Sequence, residues 1–529
     1  MKNILKKHKV KIIFIIILIF QVITIIYAAS KRVHLHMDEY LSFGFISSED
    51  MFINLKEDFY NTWHSNDYFY EYLEINEDEV NDFSPVYENQ KNDVHPPLYY
   101  LLLRIFNNFS VDNFTIWFAI ALNVVLFIIS MCIVYLIGEK LFKNKKYTLL
   151  LCFMVGFNIG IIQIAIYIRM YQLLILSGLL LLYWHLYYGS KAKLEFKNCL
   201  KLSLVVCMGF LTHYYFIILL VAFYIVYFIQ NIKEKNIKNL IKYTLTLILS
   251  ILIVTLIFPY WINHMFFSGR GKEAYNYLLF RPLYIQIVLY KCFAILNKNA
   301  FNYMLYAFLL TLALFITLTI YYKIKNKDKN KFSKEDKIIY VLFPTIFYFI
   351  IISCVLPYVE IRYFSLILVN IIILIVYYLK KFGEYVLKNN EHCFNLILAL
   401  CVIATVINLS NVNNNIYTYM QDEYEIKNIE QNKNLIYIIG NNQNSWYDSY
   451  EVFLNYENSI ILKYNENIVE EISNVIEDKN LKDEEYIIGI DGNIYVELQE
   501  KLLETQKFEN LKFFYNIGRS VFVNIYTEM

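Results

Sequence analysis

The chain has 529 residues, of which 58% are hydrophobic, 18% aromatic and only 18% charged. Soluble domains are about 45–50% apolar and about 25% charged, so this composition excludes an ordinary soluble protein and places the chain in the membrane class. The formal net charge of +1 gives neither sign an excess, which argues against nucleic acid as a partner.

The first residues, "MKNILKKHKV", are basic and lead into the apolar stretch from Val10 to Ser30. That stretch is long enough to cross a bilayer, for which about 20 residues are needed. "YAAS" imitates a cleavage site, but a cleaved signal carries a shorter apolar core, so the segment reads as an anchoring helix. Apolar spans follow at 114–138, 147–166, 170–188, 199–213, 214–230, 240–260, 302–322, 338–357, 364–379 and 394–410. Basic clusters lie at 139–146, 191–197, 233–242, 323–337 and 380–381. Placing all of them in the cytoplasm with the N-terminus makes the spans alternate without contradiction.

The expected fold is therefore a polytopic α-helical membrane protein of about eleven transmembrane helices, multi-pass in the cell membrane. Residues 1–410 form the membrane domain, with a first extracytoplasmic loop at 31–96. The turns at Arg169 and His213, the loop 261–300 and everything after about residue 411 share that outer face. The tail 411–529 alternates strand-like runs at 434–440, 459–464, 485–491 and 511–518 with helical ones at 449–456, 467–478 and 494–506. It reads as a small extracytoplasmic α/β domain, large enough for its own core. No cysteine lies in 31–96 or after Cys401, and no pair has zinc-ligand spacing, so neither a disulfide framework nor a zinc site is expected.

Candidate functional residues cluster on the outer face. "HMDEYLSFG" (36–44) places Asp38 and Glu39 just beyond the first span, with His34 and His36 beside them. Asp38 fits two readings, an N-cap for the helix that follows or a carboxylate with chemistry to do. The loop 31–96, with its acidic run at 74–82, reads as a solvated, partly helical loop. In "DVHPPLYYLLLRIF" (93–106), Pro96 and Pro97 suit the first turn of a helix at the membrane interface, and His95 fits either an interfacial polar residue or a ligand contact. Arg169 and Arg362 sit at expected outer ends of spans, where charge is costly unless it pairs or snorkels. His213 lies in a short apolar hairpin, where a hydrogen-bonded bundle residue is the plain alternative.

Five of these segments together carry a resemblance. "MDEYLSFG", "DVHPPLYY", "IRMYQLLILSGLLLLYW", "LTHYYF" and "IRYFSLIL", in this order, resemble the GT-C superfamily of membrane glycosyltransferases. The likeness is to the dolichyl-phosphate-mannose–protein mannosyltransferases and to the bacterial relatives that include lipid A aminoarabinose transferases. The resemblance spans roughly residues 1–410 and implies a sugar moved from a polyprenyl-phosphate carrier to a protein, lipid or glycan on the outer side of the membrane. It makes Asp38 the counterpart of the essential acidic residue, Glu39 its companion, and Arg169 the basic residue near the carrier phosphate. With Arg169, the residues His95, Tyr171, His213, Arg362 and Tyr363 of these segments are the candidates for substrate binding. The chain departs from the protein mannosyltransferases in a loop 261–300 too short for their β-trefoil domain and in lacking an Asp after "IRMYQLL". Its His-Pro-Pro also differs from the Lys-Pro-Pro of aminoarabinose transferases. A divalent metal joining His213, His95 and an acidic residue is compatible with the superfamily, although the ligands would come from separate segments.

The chemistry asks for the same residue types. Transfer from a lipid phosphate needs a base for the acceptor hydroxyl, and a partly desolvated carboxylate at the membrane edge supplies one. A single base attacking from the face opposite the leaving group fits inversion, by analogy with inverting glycosidases. The planar fork of arginine suits the phosphate. A transporter or flippase of lipid-linked or cell-envelope substrates is the alternative, with a non-catalytic scaffold behind it. A transporter would more often show internal repeats or broken helices at the midplane, and no G-x-x-x-x-G-K-[ST] motif is present for an ATP-driven pump.

Overall fold

The computed structural model describes all residues except 1, 33–34, 190–192, 307, 314–316, 318–336, 386–390, 411–433, 441–444, 483–484, 505–510, 518–519 and 526–529. The chain divides into two compact units. One comprises Met1–Ala29, Val94–Tyr99 and Ile120–Ile416, and the other Ser30–Asp93, Tyr100–Ala119 and Tyr417–Met529.

The first unit is built of helices. Six of the described helices are long and apolar enough to cross a membrane, or seven if a bent pair counts as one span. The runs expected at 170–188, 199–213, 338–357 and 394–410 also form helices, at Tyr171–Tyr188, Phe196–Phe210, Ile339–Val355 and Glu391–Ser410. The span expected at 302–322 is described in part, with a short apolar helix at Met304–Ala313, and the basic cluster at 323–337 lies outside the described residues except at Lys337. The bent pair is Lys145–Gly156 and Ile159–Ile166, which meet at 55°. Asn158 makes the break tolerable: its Oδ1 accepts from Ile161 N at 3.3 Å and its Nδ2 donates to Ala300 O at 2.8 Å. In an apolar surrounding every freed backbone group needs such a partner. Buried Gln21, on the helix Lys2–Ser30, donates to Cys152 O at 2.9 Å. Its amide lies where a side chain at Gly156 would begin, so glycine allows the approach.

The second unit holds a six-stranded sheet. Its strands are β1 (Trp63–Ser65), β2 (Asn434–Ile439), β3 (Asn458–Lys463), β4 (Tyr486–Asp491), β5 (Leu511–Ile517) and β6 (Ser520–Ile525), in the order β1-β3-β2-β4-β6-β5. β2 pairs in parallel with β3 and β4, and these three read as near-continuous apolar runs because both faces are covered. On one face the helix Ile468–Asp478 buries Ile468, Ile472 and Ile476, spaced four apart on one stripe. On the other, Tyr437 meets Phe453 at 5.1 Å in a cluster with Trp446, Phe69 and Tyr450.

Two features of this unit differ from expectation. The boundary at 410/411 divides the chain in sequence, but in space the first loop and the tail pack as one body. The reason is backbone pairing: β1, from the loop, runs antiparallel to β3 with Trp63 opposite Ile460. β6 was unforeseen as well. It sits between β4 and β5 as an antiparallel strand. The loop is partly helical, as expected, with helices Met37–Ser47, Asn66–Glu71 and Ser84–Asn92. The acidic run itself does face water at Glu77, Asp78 and Asp82.

Candidate functional site

The acidic pair belongs to the second unit. The helix Met37–Ser47 begins with a capping box whose cap is His36, not Asp38. His36 Nδ1 accepts from Asp38 N at 3.1 Å, and Glu39 Oε2 accepts from His36 N at 2.9 Å. The capping reading of Asp38 is therefore corrected. Histidine takes the role because its ring nitrogen reaches the first turn as an Asn or Ser oxygen does. Asp38 is left half-buried on the second helical position, its carboxylate 3.6 Å from His36 Nδ1.

Glu39 is held differently. It is fully buried and ion-paired to the equally buried Arg32. With the cap hydrogen bond on the same atom, its Oε2 is committed to fixing the helix start. The rest of the motif packs the helix in place. Tyr40 donates to Glu451 at 2.6 Å, and its ring stacks on Tyr450 at 4.7 Å. Gly44 is required because a Cβ there would fall 2.0 Å from the Tyr72 ring. At the far end the buried Arg104 donates to Ile46 O and, at 2.6 Å, to Glu79 O, tying the helix C-terminus to the acidic run. His34 lies outside the described residues.

The other candidate residues meet in the first unit, at three turns between helices. Arg169 lies in the turn from Ile159–Ile166 to Tyr171–Tyr188, His213 in the turn from Phe196–Phe210 to Phe216–Lys233, and Arg362 in the 3-10 turn Ile361–Phe364. His95 reaches the second turn because Leu98 N donates to Leu211 O at 3.1 Å. Pro96 and Pro97 lie just before the helix Leu98–Asn107 and not within its first turn. The His95 and His213 rings are 5.8 Å apart, edge to face. Tyr171 stands 5.9 Å from His213 and 6.4 Å from Tyr363. Arg362 donates to the Tyr167 hydroxyl at 2.5 Å, and its Nε lies 2.7 Å from a Glu360 oxygen.

His95, Arg169, Tyr171, His213, Arg362 and Tyr363 thus form one cluster. His213 is nearly fully buried, and its imidazole is pushed well below its ordinary pKa, first by burial and then by His95, Arg169 and Arg362. Its Nδ1 accepts from Tyr215 N at 3.1 Å, as a neutral ring can. Two guanidiniums and a neutral imidazole, walled by tyrosine rings, suit an anion with an apolar body. Among the described residues no three metal-ligating side chains come together, so the two histidines have no third ligand for a metal.

Tyr167, Glu360 and Tyr215 were not singled out in the sequence. "YIRMY" and "VEIRYF" do carry a signal for the first two, since each places a polar group two residues before the arginine. Asn123 supports that geometry by donating to Tyr167 O at 2.9 Å.

Residues 94–261 match the family model described as dolichyl-phosphate-mannose-protein mannosyltransferase. No curated protein sequence matches the chain. Among solved structures, ArnT from Cupriavidus metallidurans bound to undecaprenyl phosphate is 10% identical over 96% of this chain and 97% of its own, with a TM-score of 0.46. The archaeal oligosaccharyltransferase AglB from Archaeoglobus fulgidus, in complex with an inhibitory peptide and a dolichol-phosphate, is 11% identical over 98% of this chain and 74% of its own, with a TM-score of 0.48. The matched residues contain His95, Arg169, Tyr171 and His213, and over them the resemblance of this chain to the GT-C superfamily membrane glycosyltransferases is borne out by the dolichyl-phosphate-mannose-protein mannosyltransferase family.

Proposed function

We propose that the protein is a membrane glycosyltransferase that moves a sugar from a polyprenyl-phosphate donor to an extracytoplasmic protein, lipid or glycan, with inversion at the anomeric carbon. The observation that carries this reading is the meeting of Arg169, Arg362, His95 and His213 at three helix turns lined by Tyr167, Tyr171 and Tyr363. A lipid-borne phosphate offers the anion for the guanidiniums, and the tyrosine rings suit the sugar and the first isoprene units. Asp38 is the base: it accepts the proton of an acceptor hydroxyl as that oxygen bonds to the anomeric carbon. The bond from that carbon to the phosphate oxygen breaks, and polyprenyl phosphate leaves with its charge held by Arg169 and Arg362. Glu39 is the positioning partner, since Arg32 and the cap already engage it. About eleven spans, a cytoplasmic N-terminus and an extracytoplasmic tail complete the proposal.

Reconstituted protein offered polyprenyl-phosphate hexose, N-acetylhexosamine and aminopentose donors is expected to consume at least one. Polyprenyl phosphate should be released as the sugar leaves. Intact donor crossing the bilayer with no polyprenyl phosphate formed overturns the reading in favour of transport.

A further inference from the structure

After the helix Ile237–Ile257 the chain forms Gly269–Phe280, a 3-10 turn Arg281–Tyr284 and Ile285–Phe301. Together Gly269–Phe301 is a 33-residue run, apolar enough to cross a membrane, yet only 11% of its most apolar window is buried within the protein. Leu279, Leu283, Ile287 and Tyr290 all stand more than half exposed. Composition alone would make this a span, where the order of basic clusters places an outer-face loop at 261–300.

Its tethers say otherwise. At the start, the Arg270 guanidinium lies 5.5 Å from the centre of the Tyr358 ring. In the middle, Arg281 donates to Leu356 O at 2.5 Å and Ser353 O at 3.3 Å, capping the C-terminal end of Ile339–Val355. At the finish, Asn408 Nδ2 donates to Ala300 O at 3.1 Å and Asn302 Nδ2 to Ile407 O at 3.2 Å, near the C-terminal end of Glu391–Ser410.

Those two helix ends share a side. Tyr348 donates to Tyr363 O at 2.9 Å and the rings of Phe349 and Phe364 are 5.8 Å apart, so Ser365–Tyr385 starts beside the end of Ile339–Val355. Tyr385 and Glu391 are six steps apart along the chain, a reach of at most about 22 Å, too little to recross a core of about 30 Å. Glu391–Ser410 therefore starts where Ser365–Tyr385 ends and finishes on the side of Arg362. A run tied at its start, middle and finish to one side does not cross.

We infer that Gly269–Phe301 lies along the membrane on the side of the Arg169 and Arg362 turns, seated in the phospholipid headgroup region of that leaflet. The exposed apolar side chains enter the acyl boundary, and the exposed Lys272, Lys291 and Lys298 meet lipid phosphates. The inference does not depend on the glycosyltransferase reading, because it concerns only which side each end occupies.

Single cysteines at Lys272, Lys291, Lys298 and Glu360 test it, in a background without native cysteines and in sealed vesicles of known orientation. A membrane-impermeant maleimide should label Lys272→Cys, Lys291→Cys, Lys298→Cys and Glu360→Cys from one and the same side. Labelling of Lys272→Cys and Lys298→Cys from opposite sides overturns the inference. So does a Lys298→Cys or Lys291→Cys closed to the reagent from both sides and opened only by detergent. These lysines are exposed, so the variants are expected to fold, and loss of transferase activity would not bear on the result.

Discussion

Tyr40 and Glu451 lie 411 positions apart and share a 2.6 Å hydrogen bond, with the fully buried Tyr40 ring stacked on Tyr450. The residue next to the acidic pair is thereby anchored to the tail helix Tyr450–Asn455. Tyr40→Phe leaves the Glu451 carboxylate without this donor. A loss of about 1–3 kcal/mol in stability is expected, read as a lowered Tm of the purified protein. Glu451→Gln keeps an acceptor, so a smaller drop is expected.

Asp38 and Glu39 should separate cleanly. Asp38→Asn is expected to fold with wild-type stability, because His36 and not Asp38 caps the helix. Donor turnover should fall about 10²–10⁴-fold, the usual effect of removing a general base. Glu39→Ala strands the buried Arg32, and breaking such a pair costs about 3–5 kcal/mol. Its first symptom should be lost yield and Tm. An Asp38→Asn protein with wild-type turnover would remove Asp38 from the chemistry.

Arg362→Lys replaces a planar fork with a point charge and loses the hydrogen bond to Tyr167. The KM for the lipid donor is expected to rise about tenfold, with the acceptor KM unchanged. Tyr167→Phe removes only the hydroxyl and should produce a smaller change in the same direction. Both are read from initial rates at varied donor and fixed acceptor.

The buried His213 has a pH signature. Its folded pKa lies below the ordinary value because burial, His95, Arg169 and Arg362 all oppose protonation. The unfolded chain binds the proton first as pH falls, so stability is full above about pH 6.5 and drains away below it. Melting curves between pH 7.5 and 5, a window set around that reference value, should show wild-type Tm falling with pH and the His213→Gln variant falling less. Parallel slopes would detach His213 from the acid sensitivity.

Periodicity made much of this fold readable, and distance hid the rest. Long apolar runs such as 117–142 announce helices, and "IVEEISNVIED" announces an amphipathic one that packs on a sheet. Local pattern also located the start of the acidic helix. It missed the cap, since histidine is outside the usual capping set. β1 was unreadable because three residues in an acidic loop show no alternation until β3 supplies their partner. The Arg32–Glu39 pair was within reach of a seven-residue spacing, whereas Tyr40–Glu451 was not. The run Gly269–Phe301 has the composition of a crossing helix, although the basic clusters place 261–300 as an outer-face loop, and its tethers reveal where its ends lie.

The pairing of β1 with β3 also sets an order of events during synthesis. Trp63 emerges early, but its partner Ile460 is made only after nearly all the membrane helices. At about 5–20 residues per second, the wait is on the order of a minute. Through that interval the first loop carries an unpaired strand and the aromatic residues Phe59 and Phe69, whose neighbour Trp446 does not yet exist. A ribosome that stops before residue 450 leaves the acidic helix without its anchor and the strand without its partner, so truncated chains should be inactive and prey to quality-control proteases even when every membrane helix has been inserted.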